Sequence, residues 1–169
     1  MKKLLLSLTF VAALGFTASA QTEGAVRKLS IGAEAGLLTD EGTKDLMMAG
    51  ASLQFEQPIA KSLNLTGSAG YMSLFSTAEG ASGNIGFIPV KAGAKYYFGG
   101  NFYGAGELGA SFSAEKNGNT GFLYAPTLGA SFSIADKSSL DFGIRYENWS
   151  YEGGTTSFVG LRAAFAFGL

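Results

Sequence analysis

Along most of this chain apolar and polar residues alternate one for one, the repeat of an extended strand whose two faces meet different surroundings. The pattern divides into eight segments, each of about 9–12 residues, the length a tilted strand needs to cross a bilayer. Residues 28–38 place Leu29, Ile31, Ala33, Ala35 and Leu37 on one face and Ser30, Gly32, Glu34 and Gly36 on the other. Residues 46–56 oppose Met47, Leu53 and Phe55 to Ser52, Gln54 and Glu56; residues 63–74 oppose Leu63, Leu65 and Tyr71 to Asn64, Thr66 and Ser68. The fourth segment sets Ile88, Val90, Tyr96 and Phe98 against Lys91, Gly93 and Lys95, but breaks phase at residues 85–87, where a bulge or a late loop end is expected. Pro89 in that segment cannot donate to a ladder and needs a local explanation. Segments 102–113, 122–134, 140–147 and 157–169 repeat the alternation, the last carrying Val159, Leu161, Ala163, Phe165, Phe167 and Leu169 on its apolar face. Connections alternate between short (57–62, 99–101, 135–139) and longer (39–45, 75–83, 114–121, 148–156), so the expected fold is an all-β, eight-stranded, antiparallel up-and-down transmembrane β-barrel.

Alternation alone does not say which face is outside, because a soluble ligand-binding barrel of the lipocalin kind has the same period with the apolar face inward. Two features favour the apolar face outward. The polar face is rich in Gly, Ser and Ala and poor in charge, whereas a water-facing surface is about a quarter to a third charged. The aromatics of the apolar face also fall into two bands. Phe55, Tyr96, Phe98, Phe102, Phe132, Phe165 and Phe167 map near the short turns, and Tyr71, Phe112, Tyr124 and Tyr146 near the longer loops, with aliphatic residues between. Two aromatic girdles around an aliphatic belt mark membrane–water interfaces.

Composition adds a compartment and removes chemistry. Lys2 and Lys3, the apolar run from Leu4 to Leu14 and the small-residue pattern Ala18-Ser19-Ala20 predict a cleaved export signal over residues 1–20, leaving residues 21–169 as one barrel domain. That part carries ten basic against thirteen acidic residues, which excludes a basic nucleic-acid footprint. The chain has neither Cys nor His, so disulfides, a histidine base and histidine metal ligands are all absent, and no cofactor, metal site or catalytic residue is expected.

The export signal, the eight segments and the final alternation from Val159 to Leu169 together resemble the small OmpA/OmpX-type outer-membrane barrels of Gram-negative bacteria, the outer membrane protein β-barrel domain group often labelled porin family. The resemblance covers the whole of residues 21–169 and implies residence in the cell outer membrane, contact with its lipid, and a monomer. It also implies that Phe165, Phe167 and Leu169 form the terminal signal read by the barrel-insertion machinery, with Leu169 standing where such strands usually end in Phe. Within the barrel, Glu34, Lys91, Glu107, Arg145 and Arg162 fall near mid-strand, Glu56, Lys95 and Asp141 nearer the short turns and Glu147 nearer the loops, a candidate ion network inside the lumen. Neighbouring strands would let Arg162 approach Glu34 and Lys91 approach Glu107, because buried charges need partners.

The expected function is a non-enzymatic envelope protein with a side-chain-filled lumen, acting in envelope integrity or surface interaction through four extracellular loops. A narrow channel for small solutes is the first alternative, and a soluble exported ligand-binding barrel the second. Other motifs carry less. Residues 104–109 match GxGxxG, but the alternation runs on through Phe112 with no helix to complete a dinucleotide site. Asp40, Glu41 and Asp45 read as a solvated loop, and Trp149 and Tyr151 as interfacial anchors in the fourth loop.

Overall fold

A computed structural model describes residues 26–78, 83–115 and 118–169; the expected export signal lies outside them. Eight strands follow one another: β1 (Lys28–Leu38), β2 (Leu46–Ala60), β3 (Leu63–Ser76), β4 (Asn84–Gly99), β5 (Phe102–Ser113), β6 (Thr120–Ala135), β7 (Ser138–Tyr151) and β8 (Gly154–Gly168). Each pairs antiparallel with its sequence neighbour, and β1 pairs with β8, closing the barrel. Closure leaves no unpaired sheet edge, the condition for a β-structure to sit in hydrocarbon.

The two ends of the barrel differ. At one end the turns have shrunk to two residues, at 61–62, 100–101 and 136–137. A register shift precedes each of them, between Pro58 and Ala60, between Tyr97 and Gly99, and between Ser133 and Ala135. The extra residue lets the strands twist into so tight a connection. Ser62 and Gly100 take positive φ in two of these turns, at 70° and 52°.

The other end holds longer connections, with one exception. The expected fourth loop over residues 148–156 is instead a continuation of β7 and β8, joined only at Glu152 and Gly153. The outward positions there are polar (Asn148, Ser150, Thr155) while Trp149 and Tyr151 fall on the inward parity, so the apolar-out code is lost, yet the strands still pair from Glu147↔Phe158 up to Tyr151↔Gly154. Side chains add cross-strand bonds: Asn148 Nδ2 donates to Ser157 Oγ at 2.8 Å, and the Tyr151 and Thr156 hydroxyls lie 2.7 Å apart.

The expected irregularity at residues 85–87 is also absent. The β3–β4 register is the same on either side, with Ala69↔Val90 and Met72↔Phe87 in one frame. What breaks is the hydrophobic code, because Phe87 points inward and Gly86 outward, where the Tyr71 ring lies across it. Pro89 explains the single gap in this ladder. It faces the lumen, pairs with Ser111 on β5, and has no N–H to offer toward β3.

The faces are as the alternation implied. Leu65, Leu128 and Ile144 are 42%, 67% and 59% exposed, while Glu34 and Arg162 are 8% and 5% exposed. Greasy side chains cover the outside and ions fill the inside, the reverse of a soluble ligand-binding barrel. The eleven aromatics expected at the girdles all lie on the outer face, ten of them exposed; Phe165 is half-buried against the Phe167 ring, with centroids 4.7 Å apart.

Candidate functional site: the lumen

Inward-facing positions of all eight strands converge on a lumen that an eight-stranded barrel leaves only wide enough for side chains. Its middle and its short-turn half hold four cations, Lys91, Lys95, Arg145 and Arg162, and five carboxylates, Glu34, Glu56, Glu107, Asp141 and Glu147, every one of them buried. They form one connected network. Near the short turns, Lys95 Nζ lies 2.7 Å from Glu56 and 2.6 Å from Asp141. Its ammonium sits 3.9 Å from the centre of the Tyr103 ring, a close cation–π contact.

Arg162 carries the chain of charge upward, approaching Asp141 at 3.9 Å and Glu34 at 3.4 Å. Arg145 is the hub, with Glu34 at 2.9 Å, Glu147 at 3.5 Å and Glu107 at 3.6 Å. Lys91 closes the network on Glu147 at 3.1 Å.

Neutral donors satisfy most of the remaining carboxylate oxygens, which is what makes buried ions tolerable. Glu107 accepts from Gln54, Thr66 and Ser68, each at 3.1 Å. Glu56 accepts from Asn64 at 3.1 Å and Tyr97 at 3.3 Å, and Asp141 from the Tyr103 hydroxyl at 2.6 Å. Ser52 bridges the Glu34–Arg162 pair, donating to the carboxylate and accepting from Arg162 Nε. Tyr103 reaches its place because Gly129 and Gly143 face it; a Cβ on Gly129 would run into the phenol ring.

Two pairs suggested by strand neighbourhood can be compared with the distances. Arg162 meets Glu34 as expected, but Lys91 pairs with Glu147 in place of Glu107. In the β4–β5 register Lys91 stands opposite Gly109, and Glu107 opposite Gly93. A long side chain in a narrow barrel points at the axis and meets what faces it across the lumen, here β7.

Above the ions lies a second storey that the alternation did not announce. Met48, Met72, Leu123, Trp149 and Phe158 form a buried apolar cluster at the loop end, with Leu38, Leu74 and Phe87 packed against it. The Trp149 ring meets Phe87 edge-on at 5.1 Å and Phe158 at 5.6 Å. Its indole N–H donates to Glu147 at 2.8 Å, tying the apolar storey to the ionic one. Trp149 is therefore no interfacial anchor; it is 2% exposed and inside the barrel. Between the storeys, the void bordered by Glu34, Met72, Arg145 and Phe158 measures about 10 Å³, marginal for a single water.

Trp149 is the chain's only tryptophan, so its placement can be read optically. Its emission is expected to be blue-shifted and shielded from iodide in water and from brominated acyl chains in the bilayer alike. Strong quenching by the brominated lipid would put the indole on the outer face.

Two minor motifs also find places. Residues 104–109 run inside β5 with no helix following; Gly104 and Gly106 are on the outer face, and Gly109 lets the chain pass close to the Val90 carbonyl. Of the acidic group in the first loop, Asp40 accepts the Ser157 N–H at 3.0 Å and fastens the loop to β8.

No protein-family model matches this sequence, and no curated protein matches it. Solved structures do match in shape. Neisserial surface protein A superposes with a TM-score of 0.65 at 12% identity, over 85% of this chain and 97% of that one. Ail, the attachment invasion locus protein of Yersinia pestis, gives 0.59 at 19%, over 84% and 99%. The outer membrane protein OprG from Pseudomonas aeruginosa gives 0.53 at 13%, over 86% and 96%. At these identities the likeness is one of fold, and the fold is that of the small eight-stranded outer-membrane barrels.

Proposed function

We propose that this chain is an integral outer-membrane protein whose barrel is sealed by its own side chains, and that it serves the envelope structurally and through its exposed loops without catalysing a reaction. The observation that carries the reading is the inverted polarity: a continuous apolar exterior around a lumen filled by paired ions below and an apolar cluster above. A soluble protein rarely shows more than a few hundred Å² of contiguous apolar surface, whereas apolar residues of all eight strands face outward here. With an even number of strands, both termini lie at the short-turn end, which in this reading is periplasmic. Among the described residues, the outward end then presents 39–45, 77–78, 114–115 and 118–119 and the tight turn at Glu152–Gly153, where the expected fourth loop is reduced to two residues.

The absence of His leaves no partner to activate a serine in the usual nucleophile–base manner, which supports the non-enzymatic reading. The void of about 10 Å³ between the two storeys favours a plug over a solute path. Phe165, Phe167 and Leu169, on the outer face at the end of the chain, are proposed as the residues recognised during insertion.

The test is fractionation followed by reconstitution. The protein is expected to stay with outer membranes until detergent is added, to migrate faster unboiled than boiled on gels, and to give no steady conductance in planar bilayers. Release into buffer alone would overturn the membrane reading, and a large steady conductance would overturn the plug.

A further inference from the structure

The charges left outside the lumen are sorted by end. Among the described residues, the loop end carries Asp40, Glu41, Asp45, Glu115 and Glu152 against Lys44. The short-turn end carries Arg27, Lys28, Lys61 and Lys137, with Asp136 as its one acidic side chain outside the lumen among the described residues. Nothing in the architecture demands this separation, since a rim in water accepts either sign.

The basic residues are spread over the half of the rim that contains the β1–β8 seam. Lys61 sits in the β2–β3 turn, Arg27 and Lys28 at the start of β1, and Lys137 in the β6–β7 turn, so they flank the seam where β1 meets β8. The remaining short turn, Gly100–Asn101, is uncharged. Lys61 and Lys137 are exposed, while Lys28 leans across the mouth, 5.8 Å from the centre of the Tyr97 ring.

A polar hollow of about 190 Å³ opens at this rim, between Lys28 on one side and Ser133, Asp136, Lys137 and Ser139 on the other. Directly toward the membrane from this arc, Phe55, Phe132 and Phe167 are exposed on the outer face. A cationic rim above an aromatic band matches an anionic amphiphile, with phosphate at the rim and chains along the rings.

We propose that the short-turn rim from Lys61 through Arg27 and Lys28 to Lys137 is a binding surface for anionic phospholipid headgroups. The inference rests on the membrane-barrel reading and adds a partner to it: the leaflet at this end, with the acidic loop end facing away. The attraction is long-range and additive over the cations, so it falls with ionic strength.

Lipid selectivity of the folded protein in vesicles tests it. Spin-labelled phosphatidylglycerol and phosphatidylcholine are compared for the fraction held at the protein surface, in low salt. The wild type is expected to prefer phosphatidylglycerol by about threefold or more. The double variant Lys61→Gln/Lys137→Gln removes two of the four cations and should cut a threefold ratio to under about twofold, and Glu41→Gln/Glu152→Gln at the opposite end should leave it unchanged. Both pairs are exposed, and unboiled gel mobility verifies that each variant is folded.

Two results would overturn the proposal while the barrel stands: equal retention of both lipids by the folded wild type, or a preference abolished by inorganic phosphate at constant ionic strength, which would mark a site for the soluble anion. Failure to integrate into either bilayer would overturn the membrane reading and the lipid surface together.

Discussion

Replacing Arg145 by leucine is expected to destabilise the barrel by about 3–5 kcal/mol, the usual cost of removing one partner from a buried ion cluster. Arg145 contacts three carboxylates, Glu34, Glu107 and Glu147, within 3.6 Å. Two of them keep another cation when it is removed, since Glu34 still has Arg162 and Glu147 still has Lys91. Glu107 does not; it retains only the neutral donors Gln54, Thr66 and Ser68. The loss is therefore expected to concentrate on one side chain, and a second substitution should show it. Glu107→Gln in the Arg145→Leu background removes the stranded charge while keeping the shape, and should recover a good part of the loss. Alone, the same substitution should weaken the protein. Urea titration in lipid, followed by gel mobility and Trp149 fluorescence, measures both. If Arg145→Leu changes stability by less than about 1 kcal/mol, water is reaching the lumen and relieving the charges, and the sealed plug is wrong. A double-mutant cycle with no coupling between Arg145 and Glu107 would show instead that the cluster is held by its other members.

How far the sequence disclosed this arrangement depends on contrast between the two faces. Where lipid lies on one side and ions on the other, each strand spells its orientation, and β1 and β5 match their expected bounds residue for residue. At the loop end the contrast disappears in two ways. Inside, Met48, Met72, Leu123 and Trp149 are as apolar as the outer face, so Phe87 looked like a break in phase and Trp149 like an anchor. Beyond the membrane, the outward positions of residues 148–156 are polar and the large residues fall on the inward parity, so two paired strand tips read as a loop. A better signal was available in the regular recurrence of these large residues on the inward parity of β2, β3, β6, β7 and β8. The lumen ions were legible as a set because each sits on that parity. Their pairing was not, since alternation gives face and height but not what lies across the axis; Lys91 finds Glu147 by spanning the barrel.

The exterior makes the second large prediction. Leu128 stands at the middle of β6 beside Ile144 of β7, both pointing away from the lumen. If that surface is in hydrocarbon, Leu128→Arg must bring a guanidinium to the bilayer centre and is expected to cost about 2–4 kcal/mol. The same change at Phe132, two outward positions closer to the short-turn rim, should cost less, because the side chain can reach the headgroups. In water the order would vanish: an exposed Leu→Arg change away from any partner alters stability by only about 0.5 kcal/mol in either direction. Refolding the two variants and the wild type into vesicles, with urea midpoints and slopes compared, gives the depth profile directly. Equal and small effects at both positions would place water against this face. A penalty that falls from Leu128 to Phe132 requires a low-dielectric layer centred on the barrel's waist, and the buried ions then need one another because no solvent is near enough to replace a lost partner.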